Sequence, residues 1–153
     1  MPNYCFNTLI VEGKEVDIRK FVDENKGEHS LSLIKSLPIP TDPSPKNLLV
    51  WLGENWGTTR DIDSKYSSSQ WTSPTEYTVQ FESAWSSPDA WVKYVSVLYS
   101  TLKFSLYYDE PNCRFRGSLV VDKGNVIQET CEEDYESWDE DSDDEDSRPD
   151  SVS

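Results

Sequence analysis

The chain has a single histidine, His29, and only three cysteines, Cys5, Cys113 and Cys131. No two cysteines have CxxC spacing, so a zinc site is not expected, and an odd number without framework spacing does not indicate a disulfide scaffold. His29 lies in the polar GEHS connection with no aspartate or cysteine close by in sequence, so it reads as a surface histidine rather than part of a triad. The N-terminus has no basic segment followed by an apolar run. Nor does any stretch approach the roughly 20 apolar residues that a membrane-spanning helix needs. A signal peptide and a membrane span are therefore not expected, and a reducing cytoplasm fits best.

Positive charge is scarce too: 14 Lys and Arg stand against 29 Asp and Glu, a formal net charge of −15. Direct nucleic-acid binding needs Lys and Arg gathered on a face to displace counterions from phosphates, so no direct nucleic-acid contact is expected. An anionic membrane surface is disfavoured for the same reason. The expected partner is a basic protein, and the most natural basic proteins are nucleic-acid-binding ones.

What is present is enough for one compact domain: 153 residues, 35% hydrophobic and 12% aromatic. The charge is unevenly placed. From Glu129 onward 13 acidic residues stand against one basic residue, Arg148, a net −12, whereas residues 1–128 hold 16 acidic and 13 basic side chains, a net −3. The expected organisation is a folded body over 1–128 and an acidic, disordered tail over 129–153, because high charge with few apolar residues cannot build a core.

Within the body, YCFNTLIV at 4–11 reads as a strand, and EVDIRKFVDENKG as a helix with Ile18, Phe21 and Val22 on one face and Gly27 as its left-handed stop. Four prolines in SLPIPTDPSPK make residues 28–47 a surface excursion. KNLLVWLGEN leans helical, stopping near Gly53, and the serine-rich segment 67–73 reads as a loop or hairpin tip. In TEYTVQFESAW, Tyr77, Val79, Phe81 and Trp85 fall on one face of a strand. The period then changes. Ser87 can cap, Pro88 suits a first helical turn, and Trp91, Val95 and Leu98 form an inward stripe. LKFSLYYDE and RFRGSLVV alternate as a hairpin, and VIQ reads as a short edge strand. This order predicts an α+β sandwich: a mainly antiparallel sheet with two helices on one face.

Four separated pieces carry a resemblance: NYCFN at 3–7, ENWGTTRD at 54–61, FESAWSSP at 81–88 and SLYYDEPNCRFRGSL at 105–119. In this order they resemble the small proteins of phages and plasmids with a YubB-type, Api-like ferredoxin-like domain. The resemblance implies a ferredoxin-like sandwich and a mobile-element origin, with no reaction, cofactor or catalytic residue to carry over. The acidic tail is not part of that pattern.

Candidate chemistry weighs little against structure. Asp109 and Glu110 are adjacent in a strand, point to opposite faces, and so do not meet at one substrate atom; an acid starting the turn before Pro111 is the simpler reading. Cys5 and Cys113 read as packed or half-exposed residues, and the tryptophans and tyrosines as core anchors, since no basic groove accompanies them. No catalytic, cofactor-binding or metal-binding residue is assigned, and no enzymatic activity is expected.

Two surfaces remain. The first is the acidic run, with Glu132, Glu133, Asp134, Glu136, Asp139, Glu140, Asp141, Asp143, Asp144, Glu145 and Asp146 interleaved with Tyr135 and Trp138. Such a run is commonly a solubility device, but aromatic anchors are not needed for solubility. The second is Glu54, Asn55, Trp56, Arg60 and Asp61, either a small recognition surface or a tight turn in which Trp56 anchors the excursion. The leading expectation is a non-enzymatic phage-type protein that inhibits a host polymerase, restriction or CRISPR effector, or nucleoid protein by mimicking nucleic acid. The alternative is a binding module acting through residues 54–61.

Overall fold

The computed structural model describes residues 3–41 and 44–134. The elements run β1 (Tyr4–Glu12), α1 (Glu15–Glu24), a short 3-10 turn (Leu33–Lys35), α2 (Pro45–Asn55), β2 (Ser68–Ser73), β3 (Glu76–Ala84), α3 (Asp89–Leu98), β4 (Lys103–Glu110), β5 (Phe115–Asp122) and β6 (Asn125–Glu133). The six strands form one antiparallel sheet in the order β2-β3-β1-β4-β5-β6. Within it, β1-α1-β2-β3-α3-β4 is the βαββαβ unit of a ferredoxin-like fold, with α2 inserted and β5–β6 extending one side.

Strand alternation decides which side is dry. Leu9 and Val11 of β1, Val79 and Phe81 of β3, Phe104 and Leu106 of β4, and Leu119 and Val121 of β5 point one way and are buried. The helices close over them through Ile18 and Phe21 of α1, Leu52 of α2, and Trp91, Val92 and Val95 of α3. Phe21 is the hub, edge-on to Tyr99 and Phe104 with ring centroids 5.1 Å away in each case.

Two buried indoles explain the proline-rich excursion. Trp56 Nε1 donates to the Leu37 carbonyl at 3.0 Å and Trp91 Nε1 to the Leu33 carbonyl at 3.1 Å, so the segment is pinned against the core from beneath. It is not wholly a surface excursion, because Leu31 and Leu33 are buried.

Several expected boundaries shift. Residues 68–73 are not a loop but the edge strand β2, paired to β3 through the backbone, with Trp71 packed edge-on against Tyr77 at 5.2 Å. Among the described residues there are three helices rather than two, α2 packing against α3. α2 continues past Gly53, whose position has open space around it, and stops at Gly57, where φ is +89° and the N–H donates to the Leu52 carbonyl. Gly27 is not a left-handed stop; α1 ends at Asn25, and Gly27 instead allows the Asp63 carboxylate to approach closely. Pro88 rather than Ser87 occupies the cap position of α3, without a side-chain cap bond. Trp85, at φ +71° and 49% exposed, has already left the β3 face, and Leu98 is 53% exposed because Val92 takes the inward position. β6 is far longer than VIQ: residues 129–133, assigned to the tail, pair with Phe115–Leu119, so the boundary at 128/129 is corrected to the end of the strand. The expectation of disorder beyond Asp134 falls on residues outside those described.

Candidate functional site

The alternate residues of the same strands form the other face of the sheet, on which no helix packs among the described residues. Antiparallel register sets them in rows, since directly opposed residues share a face. One row crosses the whole sheet as Ser68, Gln80, Thr8, Tyr107, Ser118 and Thr130. The next runs Glu82, Phe6, Asp109, Arg116 and Glu132. Together they line a cavity of about 800 Å³, within the range of about 300–1,000 Å³ usual for ligand clefts.

Its two halves differ. On the β5–β6 side the polar groups are satisfied internally: Arg116 Nε meets Glu132 Oε1 at 3.0 Å, Ser118 and Thr130 share a hydroxyl bond of 2.8 Å, and Gln128 Nε2 donates to Ser118 Oγ at 2.8 Å. On the β1–β3 side the side chains of Thr8, Gln80 and Glu82 make no hydrogen bond or ion pair among the described residues. Phe6 and Tyr107 stand between the halves, 49% and 44% exposed. Phe6 therefore has a carboxylate on each neighbouring strand, Glu82 on β3 and Asp109 on β4.

The expected site residues scatter. Glu132 and Glu133 end β6, Asp134 follows, and all three are exposed, with Asp134 Oδ1 3.9 Å from Arg114 Nη2. Tyr135, Glu136, Trp138, Asp139, Glu140, Asp141, Asp143, Asp144, Glu145 and Asp146 lie outside the described residues. Of the 54–61 set, only Glu54 and Arg60 are exposed. Asn55 Nδ2 donates to the Trp51 carbonyl, and Trp56 is 1% exposed, so its place on a recognition surface is corrected: it is a core residue. Asp61 is also turned inward in function, accepting from Ser32 Oγ at 2.6 Å and from the Leu33 N–H at 2.8 Å, which holds the start of the 3-10 turn.

The candidate acids and thiols are likewise dispersed. Asp109 and Glu110 point to opposite faces of β4; Glu110 is buried and its Oε2 accepts from the Asn112 and Cys113 N–H groups at 2.6 and 3.0 Å, tying the β4–β5 turn. Burial pushes the Cys5 thiol up to about 12, away from thiolate chemistry. Tyr108 is also raised, by burial and then by the neighbouring Cys131. Among the described residues no cluster of His, Cys, Asp and Glu could hold a metal ion, and no helix is long and apolar enough to cross a membrane.

Asp63 escaped sequence reasoning. Its carboxylate accepts from the Glu28, His29 and Ser30 N–H groups at 2.7, 2.8 and 3.0 Å, clasping two loops together. Burial opposes its charge, yet these three bonds and nearby His29 hold its carboxyl below the ordinary carboxylate value. Polar loops give no periodic signal from which such a pairing could be found.

The family described as ferredoxin-like domain in Api92-like protein matches residues 59–148. The crystal structure of a protein api92 from Yersinia pseudotuberculosis is similar in fold, with a TM-score of 0.53 and 15% sequence identity over 66% of this chain and 39% of that one. This chain thus spans well under half of that protein. No curated protein matches the chain.

Proposed function

Given that the chain belongs to the family of the ferredoxin-like domain in Api92-like protein, we propose that it is a non-enzymatic interaction protein. It binds a basic, nucleic-acid-handling host protein through its acidic C-terminal end and occludes that partner's nucleic-acid groove. The observation that carries this reading is the continuity of acidic charge with a built element. Glu132 and Glu133 are exposed on edge strand β6, Asp134 follows them, and the sequence beyond continues with seven carboxylates between positions 139 and 146.

Charge of this density steers a basic groove into encounter and competes for it. In an extended chain consecutive residues lie about 3.3–3.6 Å apart, so the run presents carboxylates densely enough to compete with phosphates for a groove without copying their geometry. Tyr135 and Trp138 add apolar anchors, which are what distinguish a specific contact from a purely electrostatic one. Inhibition by occupancy needs no catalytic group, in keeping with a buried Cys5 thiol and with Asp109 and Glu110 on opposite faces. In this reading the protein is a phage or plasmid product of the YubB type, works in the bacterial cytoplasm, and targets a polymerase, a restriction or CRISPR effector, or a nucleoid protein.

The test is affinity capture from bacterial lysate at low and high salt, read by mass spectrometry. It compares the native chain with a full-length variant in which Asp139, Glu140, Asp141, Asp143, Asp144, Glu145 and Asp146 become Asn or Gln. Truncation after residue 128 would remove more than half of β6 and confuse folding with binding. The expected result is a nucleic-acid-binding protein held by the native chain only, released by salt and displaced by added duplex DNA. Retention of the same partner by both chains in high salt would remove the acidic run from the mechanism.

A further inference from the structure

We infer that the uncovered sheet face is a second docking site, which receives an extended cationic segment of a protein partner and seats a lysine or arginine side chain on Phe6 between Glu82 and Asp109. The inference shares its class of partner with the reading above but concerns a different surface, and it stands or falls independently of the C-terminal carboxylates.

Three observations carry it. The first is shape: the cavity of about 800 Å³ lies along two rows, the longer of which crosses all six strands. At about 4.8 Å per strand spacing, such a row is roughly 24 Å long, room for about seven residues of extended chain at 3.3–3.6 Å each. The second is charge. The row Glu82, Phe6, Asp109, Arg116, Glu132 holds three carboxylates against one guanidinium, an excess of negative charge however the guanidinium is shared. The third is the exposed ring of Phe6 with a carboxylate on each flanking strand. An aromatic face attracts a cation through its quadrupole, adjacent carboxylates attract it through charge, and the two act on the same bound group. Thr8, Gln80 and Glu82, whose side chains have no hydrogen-bond or ion-pair partner among the described residues, supply polar contacts along the segment.

Charge complementarity selects this occupant over the others. The chain's own sequence beyond Asp134, with nine acidic residues and one basic, is repelled by Glu82, Asp109 and Glu132. Nucleic acid meets the same repulsion, with no basic row to hold its phosphates.

The experiment uses a dye-labelled peptide of alternating arginine and serine, an otherwise identical peptide with glutamate in place of arginine, and a single-stranded oligonucleotide. Binding is read by fluorescence anisotropy. Because any polycation also visits a highly acidic segment, the reporting background is the full-length chain with the carboxylates at 139–146 neutralised. In that background, Phe6→Leu, which keeps apolar bulk and removes the ring face, and Glu82→Gln, which keeps size and removes charge, are each expected to weaken the arginine peptide at least fivefold. The glutamate peptide and the oligonucleotide are expected not to bind. If arginine-peptide binding disappears with the 139–146 charges alone, or is indifferent to both Phe6→Leu and Glu82→Gln, the docking site is overturned while the C-terminal mechanism survives. If the oligonucleotide binds more tightly than the peptide, the choice of occupant is wrong. A rise in sedimentation coefficient that Phe6→Leu abolishes would assign the face to a second copy of the chain and overturn the proposal equally.

Discussion

The two faces of the sheet are built from the same strands, one residue out of step, and they have opposite characters. On the helix-covered face, Leu9, Val79, Phe104 and Leu106 are fully buried in the core. On the other, Phe6, Gln80, Glu82 and Tyr107 occupy the intervening positions and leave an 800 Å³ hollow. The first face spends its chemistry on holding the fold. The second leaves Phe6 half exposed with a carboxylate on each flanking strand. The difference teaches where substitutions should separate folding from binding.

The sharpest way to break this contrast is Trp91→Ala on the covered side. It removes a fully buried indole and orphans the Leu33 carbonyl, so a loss of about 3–5 kcal/mol is expected in urea unfolding. Next is Asp63→Ala, which releases the clasp on the 28–30 loop and is expected to cost about 1–3 kcal/mol. Because the Asp63 carboxyl is held low in the folded state, its contribution is complete above the ordinary carboxylate value and fades as pH falls through the lowered one. The stability gap between native chain and Asp63→Ala should therefore narrow below about pH 4. On the open face, Phe6→Leu and Glu82→Gln should shift unfolding by no more than about 0.5 kcal/mol, although both weaken the cationic peptide. The smallest effect on stability belongs to neutralising the carboxylates at 139–146: the unfolding midpoint should stay unchanged while the salt dependence of partner capture flattens.

Much of the fold is legible in the sequence because its central strands alternate cleanly. Phe104 and Leu106 in β4, or Tyr77, Val79 and Phe81 in β3, need only a period of two to declare themselves. The edges were less readable for a physical reason: an edge strand is held by backbone bonds on one side and need not bury its side chains. Ser68–Ser73 thus has the composition of a loop, and Glu129–Glu133 that of a tail. Trp85 and Leu98 mislead in the other direction, as large apolar residues that extend a periodic pattern beyond the element that created it. The open face was not legible as a site. Its residues are visible as the polar half of each alternation, but only register sets Glu82 and Asp109 on either side of Phe6, and register is a property of pairing between distant segments.

One measurement bears on the central claim most directly: a two-dimensional amide NMR titration of the full-length chain with the arginine–serine peptide. Shifts are expected at Phe6, Thr8, Gln80, Glu82 and Tyr107 together with Glu132 and Glu133, with quiet signals over α1, α2 and α3. Shifts concentrated on the helices, with the open face and β6 unmoved, would contradict it.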